Sequence, residues 1–236
     1  MTTVIKLVIA SILGLLMTSC HFDFGVQGNG NVKTVERTVN GTYDEIEISR
    51  GLDVYLTQSD TESVSVQADE NLHDIIKTEI EGNVLKIYTE DNIRFSEAQK
   101  VMVSFKNISR ISASSGSDVY SENTITANTL KLFTSSGSDM KLDVNAQSLD
   151  CDSSSGSDLK LSGTTTNLTA EASSGSDINA SDLKAETSHV KASSGADITV
   201  NTSKELYAKA NSGGGIRYSG NPEKVEKSDG VSASSN

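Results

Sequence analysis

The sequence predicts an all-β protein that folds as a right-handed parallel β-helix of about 20 residues per coil. Three observations lead to this prediction. A short corner motif recurs at a nearly fixed spacing, apolar and polar residues alternate between the corners, and turn-forming residues are abundant whereas proline occurs once. A near-fixed period of this length is typical of solenoids, in which each repeat buries its apolar face against its neighbours.

The corner motif reads Ser-Ser-Gly-Ser-Asp and is followed by an apolar residue. Its central glycines are Gly116, Gly137, Gly156, Gly175, Gly195 and Gly213, so successive copies are separated by 21, 19, 19, 20 and 18 residues. The first four copies are intact, and the last two have lost one or more of the motif residues. Glycine permits a positive φ and Asp side chains favour Asx turns, so each copy is predicted to be a turn between strands.

Alternation on both sides of the corners predicts which side chains point inward. Around Gly137, for example, Leu132, Met140 and Leu142 are separated from one another by polar positions or by the turn. A period of two is typical of strands with one buried face. Cys151 occupies the same position in its repeat as Leu132, so we interpret it as part of the core rather than as a reactive thiol.

The chain divides into a signal, a tether and one solenoid domain. Residues 1–19 are interpreted as a signal peptide and residues 20–40, rich in Gly and Asn, as a lipidated Cys20 followed by a tether. The solenoid then spans residues 41–236. Within it we predict irregular N-terminal coils that lack the corner motif over 41–110, regular repeats over 111–218, and a C-terminal cap or tail over 219–236.

The N-terminal residues also predict the location of the protein. Lys6 precedes an apolar stretch that is shorter than the roughly 20 residues needed to span a bilayer. The stretch ends in Leu16-Met17-Thr18-Ser19-Cys20, which resembles a bacterial lipobox; the alternative is an ordinary cleavage site with an incidental Cys20. Because His21 and not Asp follows the cysteine, we expect an outer-membrane lipoprotein, facing the cell surface or the periplasm.

Several segments resemble the auto-transporter adhesin family with a head GIN domain. They are Gly28-Asn29-Gly30-Asn31, Gly51 to Leu56, Gln67 to Leu72, and the serial Ser-Gly-Ser-Asp corners. The resemblance covers about residues 28–236. It implies a β-helix-like fold on a Gram-negative envelope lipoprotein, and it brings no catalytic motif.

Composition limits the classes of partner. The formal net charge of −12 argues against nucleic acid and against electrostatic docking on anionic lipid, so membrane attachment is expected to rest on the acyl chains. No cofactor motif was identified. The sequence leaves the oligomeric state open.

The best candidate for metal chemistry is a row of aspartates, one per corner. They are Asp118, Asp139, Asp158, Asp177 and Asp197. Calcium would need carboxylate and carbonyl oxygens around it, but the motif departs from calcium-binding repeats because the apolar residue directly follows the Asp. We therefore predict structural Asx turns and no metal site, while calcium binding by this row stays open.

No set of residues specifies a reaction, and no catalytic residue is predicted. The three histidines, His21, His73 and His189, have no partner at triad or metal-ligand spacing, so we expect them on the solvated surface. The leading hypothesis is a non-enzymatic binding module that presents stacked Ser, Thr and Asp faces to a glycan or protein. A ligand-free envelope scaffold is the alternative, and a carbohydrate-processing enzyme, which an aromatic-lined groove would favour, is the third.

Overall fold

A computed structural model describes residues 25–234. The signal peptide and Cys20 lie outside the described residues. The described chain contains one 3₁₀ turn, Glu70–Leu72. The strands are β1 (Val26–Gln27), β2 (Val32–Arg37), β3 (Glu45–Ile48), β4 (Asp53–Gln58), β5 (Ser63–Asp69), β6 (Ile76–Glu81), β7 (Val84–Thr89), β8 (Ile93–Phe95), β9 (Gln99–Phe105), β10 (Arg110–Ala113), β11 (Asp118–Ser121), β12 (Ile125–Ser135), β13 (Asp139–Ser154), β14 (Asp158–Ser173), β15 (Asp177–Ala192), β16 (Asp197–Ala210), β17 (Gly215–Ser219), β18 (Lys224–Lys227) and β19 (Val231–Ala233).

The regular part of the chain is a stack of parallel coils, which confirms the predicted β-solenoid. From β12 to β16 each strand pairs in parallel with the next, and equivalent residues lie 17 to 20 positions apart, as in the pairs Asp139–Asp158 and Asp177–Asp197. The whole solenoid has about seven turns of about 19 residues. Neighbouring coils are therefore about 4.8 Å apart along the stack.

The core follows the alternation that the sequence shows. Met140, Leu142 and Val144 point inward after one corner, and Leu149 precedes the next; all of them are buried. Cys151 is free and buried, stacked between Leu132 and Ala170, and burial raises the pKa of its thiol. Its interpretation as a core residue is confirmed.

Each corner is closed by two successive residues with positive φ. At the first regular corner these are Ser115 (φ 56°) and Gly116 (φ 72°), the pattern of a type I′ turn. The glycine was predicted; the left-handed serine before it was missed. The ladder of hydrogen bonds continues through the corners, since the Gly116 N–H donates to the Ser136 carbonyl at 3.1 Å.

The prediction that aspartates close these turns was wrong. At the corners of Gly137, Gly156 and Gly175 the serine after the glycine does so instead. Ser157, for example, is fully buried, accepts from the Ser154 N–H at 3.2 Å and donates to the Ser154 carbonyl at 2.9 Å. The following Asp158 points outward, and it is its backbone N–H that bonds to the previous coil. The reason is the strand alternation: the position after the glycine faces inward, within reach of the turn.

The N-terminal segment differs from the predicted series of irregular coils. β3 lies between β7 and β10, and β4 lies between β9 and β11, all in parallel pairs, so the coils here do not stack in chain order. Three pairs at this end of the stack, β2–β5, β5–β9 and β6–β7, are antiparallel. Alternation could not reveal this arrangement, because parallel and antiparallel strands share the period of two.

A corner of the regular type also occurs in this segment, where none was predicted. Ser49-Arg50-Gly51-Leu52-Asp53 has positive φ at Arg50 (65°) and Gly51 (75°), and Asp53 is in register with Asp118 of the next coil. Leu52 replaces the inward serine and is buried. The corner was missed because only its first serine, its glycine and its aspartate match the motif.

Both ends of the domain are more ordered than the sequence suggests. In place of a tether, residues 26–27 pair with β8 and residues 32–37 form an antiparallel strand beside β5. At the other end, Asn221-Pro222 interrupts the strands as expected, but β18 and β19 then continue the parallel stack on β16 and β17. No helix among residues 25–234 has the length and apolar character needed to cross a membrane.

Candidate functional site

The row of aspartates exists and is longer than predicted. The five predicted residues lie in register on one edge of the solenoid, and Asp53 extends the row by one coil. Lys100 lies in register beyond Asp53 at one end, and Gly215 follows Asp197 at the other. The row therefore ends on a cation at its N-terminal side.

Electrostatic repulsion and partial burial both act on this row. Desolvation is the main cause that raises the pKa of Asp118, and the neighbouring charges of Asp139 and Asp53 raise it further. The pKa of Asp158 is raised in the same way, by desolvation first and then by Asp139 and Asp177. Like charges about 5 Å apart repel by roughly 0.8 kcal/mol in bulk water, so the row costs stability when it is fully ionised.

The row does not assemble a metal cluster. Among residues 25–234, no group of three or more His, Cys, Asp or Glu side chains is arranged to hold a metal ion. One carboxylate per coil along a single edge presents repeated charge to solvent, and the carboxylates do not face one another across a cleft.

Two tyrosines stack beside the N-terminal end of the row. The rings of Tyr55 and Tyr120 lie with their centroids 5.4 Å apart at an interplanar angle of 26°, and the Lys100 ammonium lies 5.6 Å from the Tyr55 centroid. This aromatic pair is on the same outward face as the aspartates, two residues further along each strand. It gives the acidic edge an aromatic border.

A groove on another face contains the most regular aromatic pair. The rings of His189 and Tyr207 are in register on adjacent coils, with centroids 4.5 Å apart and an interplanar angle of 2°. His189 is exposed, as predicted, but it is not isolated. The groove has a volume of about 440 Å³ and is lined also by Thr169, Glu171 and Lys191.

Charged side chains surround this pair. Lys224 lies 4.7 Å from the Tyr207 centroid and donates to the Tyr207 hydroxyl at 2.7 Å. Hydrogen bonds to Glu226 and Tyr207 raise the pKa of Lys224. The Tyr207 hydroxyl in turn donates to Glu205 at 2.6 Å, so the outer edge of the tyrosine is fixed by two partners.

The same face carries a second cluster of an aromatic ring and a cation nearer the N-terminus. The Arg110 guanidinium lies 4.5 Å from the Phe133 centroid and 3.7 Å from the Glu45 carboxylate. Arg110 and His189 belong to the same outward column and lie four coils apart. The residues between them, in register on successive coils, are Lys131, Asp150 and Thr169. This face thus has cation–aromatic contacts at both ends.

Two of the segments that carry the family resemblance, Gly28 to Asn31 and Gln67 to Leu72, meet at the N-terminal end. Asp69 is buried and its carboxylate accepts three backbone N–H bonds, from Gly30 at 2.8 Å, Glu97 at 3.1 Å and Ala98 at 3.2 Å. Asn71 accepts from the Asn29 N–H at 2.9 Å, and a Cβ at residue 28 would overlap the Asp69 carboxylate. These residues hold the first strands to the domain, so their role here is structural.

Of the remaining histidines, His73 is half-buried at the same end. Its carbonyl accepts from Arg37 at 2.7 Å and its ring contacts the Lys33 carbonyl at 3.2 Å. His21 lies outside the described residues. The structure brings neither His73 nor His189 into a triad with a serine and a carboxylate among residues 25–234.

Solved structures of several bacterial proteins have the same fold. A structure described as a "putative adhesin" from Bacteroides fragilis superposes with a TM-score of 0.82 at 22% identity, over 89% of this chain and 98% of that one. A "Putative lipid binding protein" from Parabacteroides distasonis gives 0.69 at 22% identity, and a "putative adhesin" from Parabacteroides merdae gives 0.70 at 18%; each covers 89% of this chain and 99% of its own. At these identities the likeness shows the fold alone.

Sequence comparison extends this likeness to a family. Among curated proteins, none matches this chain. A family model does match it over residues 42–222, which is most of the solenoid. That range includes the Asp69 contacts to Glu97 and Ala98, all regular corners, and the His189–Tyr207 pair. The chain therefore belongs to the family described as "Putative auto-transporter adhesin, head GIN domain".

Proposed function

We propose that this protein is a non-enzymatic binding module of the bacterial envelope, anchored by a lipid on Cys20 in the outer membrane and displayed at the cell surface. Its solenoid faces would contact a glycan or a surface protein. Family membership supports the adhesin class, and the lipobox-like residues before Cys20 support the anchor.

The observation that carries this proposal is the parallel register of β13 to β16, which shifts only at bulges within β14 and β15. It repeats most outward positions at intervals of about 4.8 Å, so that one face presents columns of similar side chains. Repeated columns of Ser, Thr, Asp and Lys suit a partner that is itself repetitive. Many weak contacts then add through effective concentration rather than through one deep pocket.

The same geometry disfavours carbohydrate hydrolysis. Glycosidases need two carboxyl groups about 5–9.5 Å apart on either side of the bond that they cleave. The groove is lined by two carboxylates, Glu171 and Glu226, but they belong to coils three steps apart in the stack, or about 14 Å. The aromatic pair is therefore suited to binding a sugar, and the two carboxylates that line its groove are too far apart to act together on one bond.

The test of this proposal is protease accessibility on intact cells, comparing the wild type with Cys20→Ala. Digestion of the wild type from outside, with loss of the variant from the membrane fraction, is the expected result. Protection of the wild type until the outer membrane is opened would exclude adhesion and leave a periplasmic scaffold. Retention of Cys20→Ala in the membrane would exclude the lipid anchor.

A further inference from the structure

The geometry points to the His189–Tyr207 groove as a binding site for an acidic polysaccharide, with one sugar ring stacked on His189. This inference rests on the proposed function and assigns a ligand class to one face of the solenoid. It is carried by three features of the groove: an aromatic stack with one open side, a local excess of cations, and an outer edge that is already fixed by hydrogen bonds.

The open side of the stack is set by the column of outward residues. On four successive coils, that column contains Thr169, His189, Tyr207 and Glu226, in this order. The Lys224 ammonium covers Tyr207 from outside, 4.7 Å from its centroid. Thr169 is exposed and too short to cover the imidazole, so the His189 face directed towards that coil is free for a ligand ring.

A flat ring face beside a small residue suits a pyranose. Rings that stack in parallel at the coil spacing have their planes roughly perpendicular to the solenoid axis. A sugar ring placed over Thr169 would therefore extend the stack by one coil. Its hydroxyl groups would then be near Glu171 and Lys191, which pair with each other at 3.5 Å on the adjacent column. Exposed ion pairs of this kind are weak, so their hydrogen-bonding groups can be redirected to a ligand.

The charge of the groove favours an acidic sugar. Its lining contains Lys191, Lys209 and Lys227 against Glu171 and Glu226, a formal charge of +1 on a chain whose net charge is −12. Lys209 is exposed, in register with Lys191, and lies within 4.0 Å of no carboxylate in the described part of the chain. An acidic group on the ligand would supply the partner that Lys209 lacks.

The arrangement is preorganised. Tyr207 is held by Glu205 at 2.6 Å and by Lys224 at 2.7 Å, and His189 stacks on the ring so held. Both residues project from the long strands β15 and β16, whose backbones are paired on both sides. A ligand therefore meets a surface that needs little ordering, which favours binding by a site that is otherwise shallow.

The test is calorimetric titration of the purified solenoid domain with oligogalacturonate, with a neutral glucan oligomer of the same length as the control ligand. We expect binding of the acidic oligomer only. Two variants probe the site. His189→Thr introduces the residue that the preceding coil has at this position. It is expected to weaken binding about tenfold, because one aromatic stacking contact is lost. Lys209→Gln is expected to weaken it about threefold and to reduce its salt dependence.

Two control variants introduce the same residue types, Thr and Gln, on the aspartate face. Asn179→Thr and Lys160→Gln alter exposed residues away from the groove and are expected to leave the affinity unchanged. Equal binding by all four variants, equal binding of the neutral oligomer, or no binding of the acidic oligomer would overturn the inference. Because the titration uses the isolated domain, it decides the ligand class whatever the protease experiment shows about surface display.

Discussion

Replacing Asp69 tests whether the N-terminal strands are held by one buried carboxylate. The change Asp69→Ala removes the acceptor of three backbone N–H groups, from Gly30, Glu97 and Ala98, at 2.8, 3.1 and 3.2 Å. A buried donor that loses its acceptor costs about 1–3 kcal/mol. Gly30 and Glu97 are exposed enough for water to replace part of this loss, so we expect the free energy of unfolding to fall by about 3 kcal/mol.

A second variant separates the acceptor from the volume of the side chain. Asp69→Asn keeps the shape, and its amide oxygen can take the place of Oδ1, which accepts from both Glu97 and Ala98. The amide nitrogen would then face the Gly30 N–H, donor against donor. We therefore expect a loss of about half that of the alanine variant, roughly 1.5 kcal/mol.

The assay is urea unfolding followed by circular dichroism, read as a shift of the midpoint at constant slope. Amide hydrogen exchange gives the local readout, with faster exchange expected at Gly30, Glu97 and Ala98. Asp74→Ala is the matched control, because Asp74 is exposed and only five residues away; it should change stability by less than about 0.5 kcal/mol. A loss below about 1 kcal/mol for Asp69→Ala, or unchanged exchange at the three amides, would refute the reasoning.

Three further predictions concern the aspartate row, the corners and the close approach at residue 28. The raised pKa of Asp118 means that its ionisation destabilises the folded state above that pKa, a penalty that is lost as pH falls below the ordinary value of 3.8; Asp118→Asn should therefore raise the urea midpoint at pH 7 and not at pH 3, unlike the exposed control Asp60→Asn. Ser155 has φ 58°, so Ser155→Val should cost about 1–2 kcal/mol in thermal unfolding while Ser155→Asn, which tolerates this conformation, should not; equal losses would contradict the role of backbone strain. Gly28→Ala should displace the first strands by overlap with the carboxylate behind it and speed proteolysis near the N-terminus, and an unchanged digestion pattern would argue against that contact.

The regular coils could be predicted because the sequence repeats both the corner and its phase. Counting from each glycine places Leu132, Met140 and Leu142 inward, and the structure buries all three. The same counting also predicts an aromatic contact between adjacent coils. His189 and Tyr207 each lie six residues before a corner glycine, so their stacking on adjacent coils follows from the register alone.

The rest could not be read from the pattern, for physical reasons. Strand alternation reports which face is buried but not the direction of the neighbouring strand, so the antiparallel position of β5 beside β9 was invisible. The corner at Gly51 has the backbone of the regular corners, but Arg50 and Leu52 replace two of the three motif serines, so the motif is not recognisable there. Closure of the turns by the inward serine was missed because the aspartate beside it has the stronger known preference for turns.

The interleaved stacking at the N-terminal end has a consequence for how the chain acquires its structure. Until residues 110–121 have been synthesised, β3 and β4 each have one edge without a partner strand. Glu45 pairs with Arg110 and Asp53 pairs with Asp118, and the two residues of each pair are 65 positions apart. Contacts this distant in sequence form slowly, whereas each regular coil needs only the 19 or 20 residues that follow it. During synthesis the portion that emerges first must therefore wait with open strand edges, and assembly would proceed outward from residues 110–154 in both directions rather than from the N-terminus onward.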